Sequence, residues 1–192
     1  MKTIKGLYLM RHGRTEWNRD GRLQGSKNSP LLETAPAEVL QVLSLLPMAE
    51  IDVVFASPLG RSVQTAEIMS NNYSLSYKTS PLIKECDMGF CEGMTLDEVK
   101  KKYAPFWEKR QEDKWHTKWP GGESYADVYE RAELMLAQLP LEKQILIISH
   151  EMIGKCIAGS IMGWDQDYIL NLKQANKQVF HIQDNSFSIL TL

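Results

Sequence analysis

Three short apolar runs divide the chain, and each one stops at polar residues. They span residues 3–10, 51–56 and 145–148 and are rich in β-branched and aromatic side chains. Runs of this length that are closed by polar residues predict buried β-strands. The polar residues that close them are Arg11-His12, Ser57-Pro58 and Ser149-His150.

Apolar residues at helical spacing follow the second and third runs. Val63 and Ala66 come after Ser57-Pro58, which predicts a helix whose cap is Ser57 and whose first turn holds the proline. A second stripe runs from Ile153 to Gly163. Strands that alternate with helices predict an α/β fold with a mostly parallel central sheet and helices on both of its faces.

Cap and turn signals predict the remaining elements of a single domain over residues 1–192. Thr95 with Glu98 has the form of a capping box, and Ser124 with Asp127 is a weaker version that opens a helix ending before Pro140. A further helix is predicted over about 36–46. Residues 177–182 and 187–190, separated by Asp184-Asn185-Ser186, predict a C-terminal hairpin.

The stretch from 100 to 119 differs from the rest of the chain. It holds three of the five tryptophans and seven of the 22 Lys and Arg residues. We interpret about 94–124 as a helical lid insertion. Two roles for its basic residues are open: a solvated helix with an aromatic inner face, or a surface that steers an anionic substrate.

Composition excludes several partners and locations. A net charge of −2 and a pI near 6.1 give no global attraction to nucleic acid or to an anionic membrane, so any anion must bind at a local cluster. The N-terminal apolar run is too short for a secretory signal, and no stretch approaches the ~20 apolar residues of a spanning helix. Three cysteines without a CxxC pair predict neither a disulfide framework nor a zinc site. We therefore expect a soluble cytoplasmic protein.

The chemistry is expected where the strands end, since ligands of open parallel sheets bind beyond their carboxyl ends. Arg11, His12, Arg61 and His150 would meet there as an anion pocket. Guanidinium groups match phosphate oxygens, which makes a phosphoryl group the natural ligand. Positive neighbours disfavour a protonated imidazole and leave it free to act as a nucleophile.

A nearby acid is also required, because an alkoxide that leaves phosphorus must take up a proton. The same group can later accept a proton from the attacking water. The residue pattern alone does not choose among four candidates, which are Glu16, Glu85, Asp87 and Glu92.

Ordered motifs spread over nearly the whole chain resemble the histidine phosphatase superfamily, also called the phosphoglycerate mutase-like superfamily. The motifs are Arg11-His12-Gly13 with Thr15 and Trp17-Asn18, Gly21-Arg22-Leu23-Gln24-Gly25 with Ser29-Pro30-Leu31, Ser57-Pro58-Leu59 with Arg61 and Gln64-Thr65-Ala66, Leu82 with Glu85, Gly89 and Glu92-Gly93, Pro120-Gly121-Gly122-Glu123-Ser124, and Ser149-His150.

The resemblance implies specific roles for these residues. It implies a phosphohistidine on His12, acid/base work by Glu85, and neither a metal nor a cofactor. Glu92 looks like part of a supporting turn. The resemblance also implies that the phosphate is contacted by Arg11, Asn18, Arg61 and His150.

Other residues near the motifs have less specific interpretations. Arg14, Thr15 and Gln24 either line the substrate side or make hydrogen bonds within their loop. His116 and His181 lie outside the motifs, so we expect them to be surface or packing residues.

The chain departs from the family pattern at two positions, and one segment indicates the branch of the family that it resembles. The family usually has glycine after the second histidine, whereas this chain has Glu151, whose carboxylate would repel phosphate unless it points away or pairs with a cation such as Arg14 or Lys155. Ser26 replaces a tryptophan often found there, which we expect to affect packing only. The segment 86–93 resembles the phosphatase branch.

The sequence therefore predicts a metal-independent phosphomonoesterase that acts on a small phosphate ester. One alternative is a bisphosphate-dependent phosphoglycerate mutase, for which the basic residues of 100–118 could anchor a second phosphate. Another is a non-catalytic phosphate-binding protein whose pocket is altered by Glu151.

Overall fold

A six-stranded mixed sheet forms the centre of the computed structural model, which describes residues 4–192. Thr3, which the sequence assigns to the first strand, lies outside the described residues. The spatial order is β3-β2-β4-β1-β5-β6. The strands are β1 (Gly6–Arg11), β2 (Val53–Ala56), β3 (Lys78–Thr79), β4 (Gln144–Ser149), β5 (Gln178–Gln183) and β6 (Ser186–Thr191).

Strand pairing confirms the mostly parallel α/β fold. β4 lies between β1 and β2 and is parallel to both, and β3 is parallel to β2. β5 and β6 form the predicted C-terminal hairpin, and β5 adds antiparallel to β1. The hairpin turns at Asp184 and Asn185, which both have positive φ as a tight two-residue turn requires. The exposed strand β3, with only two residues, is too short to leave a sequence pattern.

Helices cover both faces of the sheet, as predicted. One face packs against α2 and α3 through side chains such as Val39 and Met69. The other packs against α6, α7 and α8 through side chains such as Val128 and Ile157. The helices are α1 (Glu16–Arg19), α2 (Ala35–Leu43), α3 (Gly60–Tyr73), α4 (Leu96–Lys102), α5 (Ala104–Glu112), α6 (Tyr125–Leu136), α7 (Glu151–Met162) and α8 (Gln166–Asn171). Within residues 4–192, none is long and apolar enough to cross a bilayer.

Two of the three predicted helix caps are confirmed. Thr95 and Ser124 both form reciprocal capping boxes, with Glu98 and Asp127 respectively. The cap predicted at Ser57 is wrong, because α3 begins only at Gly60 and none of the described side chains caps it. The Ser57 hydroxyl instead accepts a hydrogen bond from the backbone N–H of Leu59 and contacts His150.

The segment 94–124 contains α4 and α5 and packs on the α6 and α7 side of the sheet. Trp115 and Trp119 are buried in that core, and Trp107 is partly buried against it. The guanidinium of Arg110 lies 4.5 Å from the centroid of the Trp119 ring. The aromatic inner face anticipated for this segment is therefore present.

Candidate active site

The carboxyl ends of β1, β2 and β4 bring the predicted site together. The backbone N–H of His12 donates to the Ser149 carbonyl at 3.0 Å, and that of Ser57 donates to the Ile148 carbonyl at 3.0 Å. The residue after each parallel strand therefore lies at one edge of the sheet. His12, Ser57 and His150 meet at this edge because each directly follows its strand.

The imidazole of His12 is fixed in one orientation and is 2% exposed. Its Nδ1 lies 2.8 Å from the Gly13 carbonyl, which can only accept, so Nδ1 carries the proton. Its Nε2 then has a lone pair, which accepts from Nε of Arg61 at 3.1 Å. Burial, followed by the charges of Arg61 and Arg11, lowers the pKa of His12 well below its usual value. The ring is therefore neutral near pH 7.

Two further hydrogen bonds fix the peptide unit that joins His12 to Gly13. The hydroxyl of Thr65 accepts from the N–H of Gly13 at 2.9 Å, and the amide of Asn176 donates to the His12 carbonyl at 2.8 Å. Thr65 belongs to a motif that the sequence singled out, but its contact was not predicted. Asn176 carried no signal, since it comes from the distant loop before β5.

Arg61 connects His12 to the loop at 24–27. Its two terminal nitrogens donate to the carbonyls of Lys27 at 2.7 Å and Gly25 at 2.8 Å. Burial of the guanidinium lowers the pKa of Arg61 to about 10. Glu92 supports the same loop, because its carboxylate accepts from the Ser26 N–H at 2.6 Å. This contact agrees with the supporting role expected for Glu92.

His150 is the second buried histidine and lies beside the first. Its ring centroid is 5.2 Å from that of His12, and its Nε2 is 2.8 Å from the Ser57 hydroxyl. Burial, followed by the charge of Arg61, lowers the pKa of His150 well below its usual value. Among the described residues, Nδ1 of His150 and Nε of Arg11 are buried without a hydrogen-bond partner. An anion bound at this site would need such donors.

Glu151 pairs with a cation, as one of the two open possibilities required, but the cation is Arg11 and neither of the two named examples, Arg14 and Lys155. One terminal nitrogen of Arg11 donates to Oε2 of Glu151 at 3.0 Å and also to the carbonyl of Gln174. Arg14 instead lies 3.5 Å from Glu38. Which cation meets Glu151 depends on the packing of α7 against β1, which the sequence does not specify.

Among the four candidate acids, Glu85 lines the central cavity and is nearly buried. Its carboxylate accepts from the backbone N–H groups of Cys86 at 3.0 Å and Met152 at 3.3 Å. Its loop is held by Arg131, which donates to the Leu82 carbonyl at 2.9 Å and to both carboxylate oxygens of Glu123.

The other three candidate acids have different surroundings. Glu16 is exposed on α1, and Asp87 accepts from the Gly89 N–H at 2.8 Å. Glu92 holds the 24–27 loop, as described above. Of the four candidates, only Glu85 combines burial with a side chain in the same cavity as His12.

The expected binding residues near α1 divide into two groups. Asn18 and Gln24 line the cavity with His12, and Oε1 of Gln24 is buried without a partner among the described residues. Thr15 is fully buried and caps α1, with its hydroxyl and N–H both 3.1 Å from Oδ1 of Asn18. For Thr15 the structure shows the loop hydrogen bonds that the sequence left as an alternative to substrate binding, whereas the Arg14 side chain pairs with Glu38 of α2.

The cavity has a volume of about 310 Å³, and a second group of cations lines it near Tyr125. Charged nitrogens of Arg110, Lys114 and Lys155 lie 5.4–5.9 Å from the ring centroid of Tyr125, measured from the central carbon for Arg110. Lys173 lines the same cavity. We call Arg110, Lys114, Lys155 and Lys173 the outer basic cluster. Segment 94–124 supplies two of the four, and the other two carried no binding signal in the sequence.

The two histidines outside the motifs lie away from this cavity. His116 is exposed and bonds to Asp113 at 2.9 Å. His181 stacks on Tyr8 with ring centroids 4.4 Å apart. Within residues 4–192, no three His, Cys, Asp or Glu side chains gather in a way that could hold a metal ion.

Known proteins resemble this chain in sequence and in fold. The sequence profile of the histidine phosphatase superfamily (branch 1) matches residues 7–191. A 6-phosphofructo-2-kinase/fructose-2,6-bisphosphatase of Caenorhabditis elegans is 32% identical over 155 residues, which is 80% of this chain and 33% of that protein. Its rat isoform 4 counterpart is 31% identical over 156 residues, or 81% of this chain and 32% of that protein. This chain thus spans about a third of the length of these relatives.

Solved structures share the whole fold. A structure described as a putative alpha-ribazole-5'-P phosphatase from Escherichia coli has a TM-score of 0.85 and 22% identity, and the match covers 98% of this chain and 96% of that one. A mycobacterial glucosyl-3-phosphoglycerate phosphatase has a TM-score of 0.82 and 18% identity, with 97% of each chain covered.

Proposed function

The chain belongs to branch 1 of the histidine phosphatase superfamily, and we propose that it is a metal-independent phosphomonoesterase that forms a phosphohistidine on His12. One observation carries the proposal. The neutral ring of His12 turns an unprotonated Nε2 towards Arg61, in a cavity that Arg11 also lines. An unprotonated nucleophile and two cations for the phosphoryl oxygens are what this transfer needs.

In the first step Nε2 of His12 attacks phosphorus and the bond from phosphorus to the ester oxygen breaks. The N–H of Arg61 that donates to Nε2 in the free site then donates to a phosphoryl oxygen, while Arg11 and Asn18 bind the other phosphoryl oxygens. The unpartnered Nδ1 of His150 is a further donor when it carries the proton. These donors neutralise charge on the phosphoryl group in its loose transition state.

Glu85 moves the proton in both steps. Protonated, it gives its proton to the departing alkoxide oxygen, and the alcohol leaves. As a carboxylate it then takes a proton from the water that attacks the phosphohistidine, which releases inorganic phosphate and restores neutral His12. Its two backbone hydrogen bonds and the Arg131 clamp on its loop fix its position for both transfers.

The substrate that fits best is a small phosphate ester with a second anionic group. The outer basic cluster lies in the same cavity as His12 and can take that group while the phosphoryl group is at the nucleophile. The relatives' names also describe such substrates, a fructose bisphosphate and a glucosyl phosphoglycerate.

The outer basic cluster could also hold the second phosphate that a phosphoglycerate mutase must bind. A mutase is therefore the alternative function. A mutase returns the phosphoryl group to its bound intermediate and must exclude water from the site. The pairing of Arg11 with Glu151 is the observation that favours a non-catalytic phosphate-binding protein, since the pair engages a phosphate-binding guanidinium.

Inorganic phosphate release from a panel of monoesters separates the three functions. We expect release from several esters, inhibition by vanadate, and loss of activity in His12→Ala but not in the exposed His116→Ala. Isomerisation of a phosphoglycerate that needs trace bisphosphate, without net phosphate release, would support the mutase. Binding of phosphate without turnover of any ester would support the non-catalytic protein.

A further inference from the structure

Glu151 places a second carboxylate, besides that of Glu85, in a cavity whose charged lining is mostly cationic. It is the first residue of α7, directly after His150, so the junction of β4 and α7 fixes its position. Its side chain is 29% exposed and lines the cavity that holds His12. Oε2 accepts from Arg11 at 3.0 Å, and no donor among residues 4–192 bonds to Oε1. One carboxylate oxygen is therefore available to a ligand.

The carboxylate contacts one group of cations and lies near the other in the same cavity. Arg11, which it contacts, belongs to the proposed phosphoryl site. In the other group, burial lowers the pKa of Lys155, and the charge of Glu151 is the largest influence that raises it. Glu151 also raises the pKa of Lys114, against the larger effects of burial and Arg110. A substrate that contacts both groups therefore lies near this side chain.

The surroundings select what Oε1 can bind. A phosphate or carboxylate group there would be repelled, and an ammonium group would be repelled by Arg11, Lys114 and Lys155. A hydroxyl group is neutral and donates one hydrogen bond to a carboxylate oxygen. We propose that Glu151 is a specificity-determining residue that accepts a hydrogen bond from a hydroxyl on the carbon skeleton between the two anionic groups of the substrate.

This inference rests on the proposed phosphatase activity and narrows its substrate to hydroxylated, polyol-like phosphate esters. The residue does not take part in the bond changes. It acts by discriminating against compounds that, once bound, cover its oxygen without offering a donor, which is how sites built for a hydroxyl discriminate. Alkyl and aryl phosphates are therefore expected to be poor substrates.

The test compares pairs of esters that differ by one hydroxyl. The first pair is 3-phosphoglycerate and 3-(phosphonooxy)propionate, which share a phosphate and a carboxylate. The second is 2-hydroxypropyl phosphate and propyl phosphate. For the full chain, kcat/KM should be at least about tenfold higher for the hydroxylated member of one pair or both. In Glu151→Ala this ratio should fall to within about threefold of one, mainly through a lower kcat/KM for the hydroxylated ester.

Two control variants distinguish specificity from a structural role. Glu151→Gln keeps an acceptor oxygen and should retain most of the preference, and Glu67→Gln, an exposed carboxylate on α3, should retain all of it. If Glu151 only holds Arg11, Glu151→Ala would slow both members equally and keep the ratio. That result, or equal kcat/KM for both members of both pairs in the parent, overturns the inference and leaves the phosphatase intact. No His12-dependent release from any of the four esters would overturn both proposals.

Discussion

Lowering the pH from about 7.5 to about 5.5 should destabilise this protein through its two buried histidines. His12 and His150 are 2% and 1% exposed, and burial with nearby arginines holds the pKa of each well below 6.5. In the unfolded chain both imidazoles are solvated and titrate at the ordinary value. The unfolded state therefore binds more protons than the folded state as the pH falls through 6.5.

The sign and size follow from linkage. A histidine with a depressed folded pKa contributes stability that is present above its unfolded pKa and is lost as the pH falls. A group that stays neutral in the fold loses about 1.4 kcal/mol between pH of about 7.5 and about 5.5, and the pair loses about 3 kcal/mol. Carboxyl groups titrate mostly below this window and change the difference little.

Urea unfolding in buffers free of phosphate measures this difference. His12→Asn should reduce the pH-dependent loss by about 1.4 kcal/mol, and the double variant with His150→Asn should remove most of it. The exposed His116→Asn should change nothing. A parent protein equally stable at both pH values, or a His12→Asn variant with the full loss, would refute the claim that the buried imidazoles are neutral.

Two further variants test other parts of the site. Glu85→Gln should lower kcat by about 100-fold or more, as expected for a lost general acid. Glu92→Gln should lower kcat by clearly less, since Glu92 contacts only loop backbone. Equal losses of kcat in steady-state assays would mean that Glu85 is not the proton donor. Lys155→Met should raise KM for a bisphosphate by about tenfold while kcat/KM for p-nitrophenyl phosphate changes less than about threefold, and equal effects on both would place the second anion elsewhere.

The histidine end of the site, with His12, Ser57 and His150, was predictable because each of these residues directly follows a strand. Short apolar runs gave the positions where β1, β2 and β4 end, and parallel strands bring such ends together. His12 and His150 were therefore placed correctly from pattern and topology. Ser57 carried the same signal but was interpreted as a helix cap, because Ser-Pro before helical spacing is also a common helix start.

The outer basic cluster was not predictable, because its residues come from separate elements and meet only in the folded chain. Lys155 lies in the middle of α7, among apolar residues whose spacing indicates a buried face, and Lys173 follows α8. Tyr125 and Arg110 reach the same cavity from α6 and α5. The pairing of Glu151 with Arg11 was unpredictable for the same reason. Arg11 is 140 positions away, and neither charge pattern nor helical spacing selects it over Arg14 or Lys155.

The most direct test of the central claim is to trap the phosphoryl group on the enzyme during turnover. After rapid quenching at alkaline pH, peptide mass spectrometry should find one added phosphoryl group on His12, stable to base and labile to acid, that forms and decays at least as fast as phosphate is released. His12→Ala should show neither the adduct nor turnover. Turnover without any phosphoryl-enzyme, or a phosphoryl group on a residue other than His12, would contradict the account.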